Sequence, residues 1–149
     1  LGVTSTAYLR GEVSVDRSEA IFAAQPKIRD GGDVIALPQP KGLLQAKNLT
    51  FTYPGSEHPA LDGVSFTVEP GQTVAVVGPI GSGKSTLAMA LPRLLEIDAH
   101  ELFLDGHDIT QVELTDLRGA IAFVPQDSFL FSTTIKNNVR YGNPLAEQL

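Results

Sequence analysis

The sequence predicts an α/β fold of about one domain, and three neighbouring features of the chain carry that prediction. Residues 73–77 are apolar nearly throughout, as expected of a strand buried in a parallel sheet. Three glycines then interrupt residues 78–83. Residues 84–95 follow with leucines along one side of a predicted helix. A chain of 149 residues is long enough for one hydrophobic core but not for two.

Composition excludes several classes of function. The chain has no cysteine, which rules out disulfide frameworks, thiolate catalysis and cysteine-based zinc sites. Its three histidines, His58, His100 and His107, lack the spacing of metal ligands. Residues 1–41 are neutral overall, and the net charge of −6 lies in residues 42–149, so we expect no nucleic-acid partner. Neither an apolar run near the ~18 residues of a membrane span nor a signal-peptide pattern is visible.

Local patterns predict the order of the elements. Alternation and β-forming residues favour strands, whereas one-sided apolar spacing and capping residues favour helices. The predicted strands are 43–53, Val64–Val68, Thr73–Val77, 101–104 with a turn to 106, and 120–126, the last of them buried. The predicted helices are Lys84–Leu95, 114–119 and 133–142. We expect Pro92 to bend or shorten the first helix, a glycine to close the second, and Thr133 or Thr134 to cap the third.

The glycine-rich stretch matches the phosphate-loop pattern G-x-x-x-x-G-K-[ST]. Glycines allow backbone N–H groups to approach phosphate oxygens closely, and the start of the following helix adds further donors. The lysine places a charge between the β- and γ-phosphates, and the next hydroxyl is a Mg²⁺ ligand. The residues in order are Gly78, Pro79, Ile80, Gly81, Ser82, Gly83, Lys84 and Ser85, with Thr86 next. The sequence therefore predicts a site for a nucleoside triphosphate.

The hydrolytic half of such a site is not visible. Phosphate-loop hydrolases use a second carboxylate near Mg²⁺ and a group that orients the attacking water. Asp105 follows an apolar strand and is the one candidate, but Gly106 and His107 come directly after it and indicate a turn at a sheet edge. We therefore expect this chain to hold a triphosphate and not to cut it.

Beyond the glycine loop, the chain resembles the ATP-binding cassette (ABC) family. The order "LTFTYPG", "ALDGVSFTVEPGQTVAVVGPIGSGKSTL" and "LFLDGHDITQVELTDLRGAIAFVPQDSFLFSTTIKNNVRYG" is similar to the first half of an ABC domain of the exporter type across residues 8–149. The resemblance implies a P-loop NTPase (RecA-like) core with an antiparallel β-subdomain, without the C-terminal half of the cassette. It divides the chain into the end of a last membrane-domain helix with its elbow at 1–24, a linker at 25–42, and the first part of the ATP-binding domain at 43–149.

The resemblance also implies roles for individual residues toward ATP and Mg²⁺. Tyr53 corresponds to the aromatic that stacks on adenine, and a core aromatic of a strand is the alternative. Gly78–Thr86 corresponds to the phosphate loop, with Lys84 catalytic and Ser85 on the metal. Gln126, in "VPQD", corresponds to the glutamine that reaches Mg²⁺ and the attacking water and so would be both catalytic and metal-binding. Without the family it is simply a loop glutamine.

Partners and location follow from the same resemblance. They are a second cassette bound head-to-tail, identical or paralogous, and the membrane domain of the same polypeptide, at the cytoplasmic face of the inner membrane. Phe129, Leu130 and Phe131 would meet the membrane domain's cytoplasmic loops, although a plain core position is the alternative. The chain departs from the family at 98–100, where a glycine is usual, and at Pro92.

These features leave three candidate functions. The first is the ATP-binding part of an exporter that couples ATP hydrolysis to transmembrane export, in a longer protein whose signature, catalytic glutamate and switch histidine lie downstream of residue 149. The second is a nucleotide-binding module without turnover. The third is another P-loop class, such as a small-molecule kinase, against which the lack of a lid and of phosphate-receiving arginines counts.

Overall fold

The structure is a computed structural model that describes Glu19 and residues 22–37, 39–127 and 129–143. The predicted end of a membrane-domain helix at residues 1–24 lies mostly outside these residues. Within them, no helix combines the length and the apolar character needed to cross a bilayer.

A four-stranded antiparallel sheet forms the centre of the described fold. Its strands are β1 (Leu44–Phe51), β2 (Leu61–Val68), β3 (Leu102–Leu104) and β4 (His107–Asp108), in the order β2-β1-β3-β4. Leu44 of β1 lies opposite Val68 on one side and Leu104 on the other. The predicted antiparallel β-subdomain is therefore confirmed, with β2 beginning three residues earlier than expected.

The sheet supports one apolar core together with the loops and helices that follow it. Strand residues that alternate toward the core face lose their solvent contact, which is the main driving force for their association. The largest fully buried side chains are Leu49, Leu102, Ile109, Val112 and Leu117. Ala90 and Leu61 belong to the same cluster, so the core reaches the helix behind the glycine loop.

From residue 84 onward, three short α-helices of the described chain follow the predicted order. The first, α1 (Lys84–Ala90), ends two residues before Pro92, which confirms that proline shortens it, because the ring cannot continue the helical hydrogen bonds. The second, α2 (Leu114–Ala120), buries Leu117. The third, α3 (Ile135–Val139), has Thr134 as its N-cap, with Asn137 N–H donating to Thr134 Oγ1 at 3.1 Å, and it continues into a 3₁₀ turn at Arg140–Gly142.

Two predicted buried strands are not present in the described structure. The prediction of a strand at Thr73–Val77 is wrong for these residues: they pair with no strand, and Val77 is 87% exposed. The prediction of a strand at 120–126 is wrong in the same way, since Ala120 ends α2 and Val124 is 88% exposed. A buried parallel strand needs a paired neighbour and a cover on each face, and no described segment supplies these.

The predicted linker is held against the fold along part of its length. Ile35 forms a parallel bridge with Val112, and the Leu37 N–H donates to Asp116 Oδ2 at 2.7 Å. Asp30 Oδ1 accepts the N–H of Leu114 at the start of α2 at 2.9 Å. Hydrogen bonds between side-chain carboxylates and backbone N–H groups, rather than a regular β-ladder, thus hold residues 30–43 against the fold. The domain boundaries at 24 and 42 stay predictions.

Candidate functional site

The glycine loop has a backbone that only glycine adopts without strain at two positions. Gly81 and Gly83 each have φ of +84°, in the left-handed region. A Cβ atom on Gly83 would overlap the Ala60 carbonyl oxygen and press on Leu61. Gly83 therefore lets α1 begin directly against the β-subdomain, and this contact fixes where the loop lies.

Lys84 is the first residue of α1 and turns its side chain back over the loop. Its ammonium Nζ donates to the carbonyl oxygens of Gly78 at 2.9 Å and Pro79 at 2.7 Å, and approaches Ser82 Oγ at 3.4 Å. Carbonyl oxygens hold a cation in one place without neutralising it. The loop therefore presents a positive charge at its surface.

The start of α1 has the donors that an anion requires. Its N-cap is Gly83, and no side chain of the described structure caps the helix there. The first N–H groups of an α-helix have no partner within the helix, so a ligand oxygen can take the place of a cap. Ser85, in this first turn, is exposed. Phosphate oxygens thus fit this end of the loop.

Tyr53 lies two residues past the end of β1 and faces the start of α1. Its ring meets Phe51 edge-on, with ring centroids 4.9 Å apart, and its hydroxyl lies 3.2 Å from Thr86 Oγ1. Thr86 is only 6% exposed, whereas Tyr53 is 38% exposed. The tyrosine is thus tethered at its polar end and open to a ligand along its ring, so it is not the core aromatic of the alternative interpretation.

These residues enclose a cleft of about 340 Å³. The cleft brings together the predicted base-stacking aromatic and the second half of the predicted phosphate loop. Ala60 also lines it, and sequence reasoning missed this residue because a loop alanine carries no recognisable signal. The lining residues are Tyr53, Ala60, Gly81, Ser82, Gly83, Lys84, Ser85 and Thr86.

Other predicted site residues lie elsewhere. Gly78 and Pro79 contribute carbonyls to Lys84, while Ile80 is fully exposed. Gln126 is exposed and is not among the described residues that line the cleft, so its role stays a prediction. In the described ranges, no cluster of three acidic or histidine side chains could hold a metal ion by itself. Any Mg²⁺ here would depend on Ser85 and on the phosphates it accompanies.

Asp105 has a structural task instead of a metal-binding one. It occupies the turn between β3 and β4 with φ of +51°, followed by Gly106 at +82°, as a tight hairpin turn requires. Burial alone would raise the pKa of its carboxyl, but hydrogen bonds from the backbone N–H groups of Leu43, Lys41 and Gly42, with the charge of Lys41, hold that pKa below its usual value. The expected sheet-edge turn is confirmed.

The stretch after Gln126 presents aromatic side chains to solvent. Phe131 stacks on Tyr141 with ring centroids 4.5 Å apart and meets Phe129 edge-on at 5.1 Å. Phe129 is 77% exposed and Leu130 72% exposed, so the plain core alternative for these residues is wrong. The expected contact with membrane-domain loops stays a prediction.

A phosphate loop facing a tyrosine is compatible with more than one class of nucleotide-binding protein, and comparison with known families decides between them. The family model described as "ABC transporter" matches residues 61–148. The chain belongs to the ABC transporter family. The ATP-binding domain of this family is a P-loop NTPase fold with an antiparallel β-subdomain, and the sheet and glycine loop described above are parts of it.

Two curated relatives of this ABC chain are a flippase and a multidrug resistance-like ATP-binding protein. It is 53% identical over 106 residues to an ATP-dependent lipid A-core flippase of Dechloromonas aromatica, covering 71% of this chain and 18% of that protein. It is 37% identical over 139 residues to the multidrug resistance-like ATP-binding protein MdlA of Escherichia coli, covering 93% of this chain and 23% of the relative.

A solved structure gives the same result for the fold. A bacterial Atm1-family ABC exporter with ATP bound superposes with a TM-score of 0.82 at 34% sequence identity, covering 95% of this chain and 25% of that chain. The predicted resemblance to the ATP-binding domain of an exporter-type ABC transporter is confirmed. The chain spans about a fifth to a quarter of the length of these proteins.

Proposed function

We propose that this chain is the adenine- and phosphate-binding part of an ABC exporter polypeptide in which ATP binding and hydrolysis drive transmembrane export. The observation that carries the proposal is the cleft of about 340 Å³ in which Tyr53 faces residues 81–86. Its two walls suit the two halves of ATP, since one is a half-exposed aromatic ring and the other a cationic loop at a helix start. Family membership makes ATP the expected ligand.

Each wall has its own chemistry in the proposal. Base stacking on an aromatic ring contributes roughly 1–3 kcal/mol and tolerates any base, so Tyr53 supplies affinity for adenine. Lys84 leaves the carbonyl oxygens of Gly78 and Pro79 and pairs with phosphate oxygens, which are stronger acceptors because they are charged. The glycine-lined backbone allows close approach of the phosphates.

The metal and the attacking water involve two further residues. The Ser85 hydroxyl and the Gln126 carboxamide are oxygen donors of the kind that Mg²⁺ accepts. When bound, Mg²⁺ neutralises part of the phosphate charge. In the proposal, Ser85 would hold the metal in the cleft, and Gln126, which is exposed after α2, would supply a second oxygen ligand.

The proposed transporter requires two partners of this chain. One is a second cassette, identical or paralogous, bound head-to-tail so that it closes over the loop. The other is the membrane domain of the same polypeptide, with the exposed Phe129, Leu130 and Phe131 toward its cytoplasmic loops. Apolar side chains so exposed are typical of a protein interface. The protein would then work at the cytoplasmic face of the inner membrane.

We further propose that the 149 residues alone bind ATP without turning it over. Their sequence contains no LSGGQ-type signature, and the described residues that line the cleft include no acidic one. Both would have to come from other parts of the transporter. Binding from one side leaves the γ-phosphate facing solvent, without a carboxylate in the described cleft lining to activate a water for in-line attack.

The test compares ATP hydrolysis by the transporter polypeptide and by the isolated 149-residue chain. Lys84→Ala should lower hydrolysis by the transporter at least about tenfold because a charged contact to phosphate is lost. Gln126→Ala should lower the turnover number more than it raises the KM, and the exposed Asp62→Asn serves as the matched control. Hydrolysis by the isolated chain that Lys84→Ala abolishes would contradict the proposal of binding without turnover. A transporter indifferent to Lys84→Ala would contradict the proposed function.

A further inference from the structure

Thr86 has a buried hydroxyl, and the one side-chain partner of this hydroxyl among the described residues is Tyr53, the aromatic residue of the cleft. Thr86 lies in the first turn of α1, is 6% exposed, and has its Oγ1 3.2 Å from the Tyr53 hydroxyl. A buried hydroxyl needs a partner, and the tyrosine supplies it. The two walls of the cleft are therefore joined by one hydrogen bond between side chains that are 33 residues apart in sequence.

We propose that Thr86 is a positioning residue for adenine recognition, which it serves by holding the hydroxyl of Tyr53. This inference rests on the proposed function and assigns to Thr86 a task beyond membership of the phosphate loop. Because Tyr53 is 38% exposed, its ring would have more rotational freedom before a base arrives if this bond were absent. Immobilising such a side chain during binding weakens affinity, whereas a ring already fixed avoids that loss.

Two contacts hold the ring, and they act in different directions. Phe51 meets it edge-on at an interplanar angle of 88°, which limits tilting about the strand end. The Thr86 bond fixes the far end of the ring. Threonine suits this task because its β-branched side chain has few rotamers in a helix, which limits the directions that its hydroxyl can take. Serine, which is freer, should hold the tyrosine less well.

Because Thr86 belongs to the phosphate loop, it could also contact phosphate directly. The two roles, positioning Tyr53 and binding phosphate, predict different ratios of ATP affinity to tripolyphosphate affinity. Tripolyphosphate has the charges of ATP but no base. If Thr86 acts through Tyr53, its loss weakens the binding of ATP more than that of tripolyphosphate. If Thr86 acts only on phosphate, both ligands weaken equally and the ratio of their affinities stays constant.

The experiment measures the Kd of ATP and of tripolyphosphate, each with Mg²⁺, by calorimetry on the transporter polypeptide. The variants are Tyr53→Phe, Thr86→Val, Thr86→Ser, and the double Tyr53→Phe with Thr86→Val. Each of the two non-bonding single variants should lower the ratio of ATP to tripolyphosphate affinity by about threefold to tenfold, the effect of one hydrogen bond. The double variant should be no weaker than either, and Thr86→Ser should lie between wild type and Thr86→Val.

Three results would overturn the inference. One is an unchanged ratio in Thr86→Val, and another is additive losses in the double variant. The third is a Tyr53→Phe variant that binds ATP as tightly as wild type, together with a Tyr53→Ala variant that has lost ATP affinity. This result would leave the proposed function intact and would remove only the role of Thr86. A wild-type protein that binds neither ligand contradicts the proposed function itself and this inference with it.

Discussion

The carboxylate of Asp105 accepts the backbone N–H of Leu43 at 2.8 Å, so the turn after β3 holds the segment that leads into β1. The same carboxylate accepts the N–H groups of Lys41 at 2.5 Å and Gly42 at 3.0 Å. A single side chain thus satisfies three consecutive backbone donors just before the sheet begins. This explains why residues 41–43 follow a defined path without forming a strand with a neighbour.

Replacing Asp105 by asparagine should destabilise the fold. Asparagine keeps the size of the side chain but loses its charge and one acceptor oxygen, so at least one of the backbone donors is left with water. We expect a loss of about 1 kcal/mol in the free energy of unfolding, as is usual for a partly exposed charge-assisted bond. Urea unfolding measures it, with exposed Asp62→Asn as the control. Equal stability of the two variants would show that the Asp105 bonds contribute nothing.

The same carboxylate makes stability depend on pH in a defined direction. Its pKa is lower in the folded chain than its ordinary value, so folding favours the ionised form. The stabilisation is therefore complete above the ordinary pKa and is lost as the pH falls through the lower folded pKa. The difference in unfolding free energy between wild type and Asp105→Asn should stay constant from about pH 5 to 8 and shrink below about pH 4. A difference that grows on acidification would refute this.

Two glycines of the phosphate loop should respond differently to the same change. Both have φ of +84°, so Ala at either position adds backbone strain of about 1–2 kcal/mol. At Gly81 the added methyl meets nothing within 4 Å, whereas at Gly83 it would overlap the Ala60 carbonyl. Gly83→Ala should therefore lose more unfolding free energy than Gly81→Ala, and it should also lose ATP binding. Denaturant unfolding and calorimetry check both, and similar losses in the two variants would count against the packing of the loop described above.

His100 stands in a left-handed conformation, with φ of +70°, which glycine adopts without strain. Its backbone N–H donates to Asp108 Oδ2 at 2.6 Å, and its Nδ1 lies 3.2 Å from the same oxygen. His100→Gly and His100→Ala both lose the ring but keep the backbone bond. Because only alanine retains the strain, the glycine variant should be more stable than the alanine variant by about 1 kcal/mol. An alanine variant as stable as the glycine one would show that the turn is not strained.

Sequence reasoning succeeded where a local signal decides the structure. Pro92 ends α1 at Ala90, Thr134 caps α3, and the turn after β3 has the expected aspartate and glycine. Each of these depends on the residue itself and its near neighbours. The glycine loop belongs to the same group because its pattern consists of adjacent residues and the helix that begins directly after them at Lys84.

The predictions that failed depended on distant parts of the chain. The apolar run at Thr73–Val77 has the composition of a buried strand, but burial requires neighbours that no described segment provides. The bond between Tyr53 and Thr86 was not predicted either. It joins a residue after β1 to a residue in α1, and no spacing of residues in the sequence predicts such a contact.

Binding of ATP to the cleft through Lys84 is the central claim, and calorimetric titration of ATP with Mg²⁺ into wild type and Lys84→Ala tests it most directly. Lys84 donates to the Gly78 and Pro79 carbonyls, so its removal takes away the cation at the loop while α1 and the glycine backbone remain. We expect the wild type to bind ATP and the variant to bind it at least about tenfold more weakly. Equal ATP affinity in the two proteins, both folded by circular dichroism, would contradict the claim.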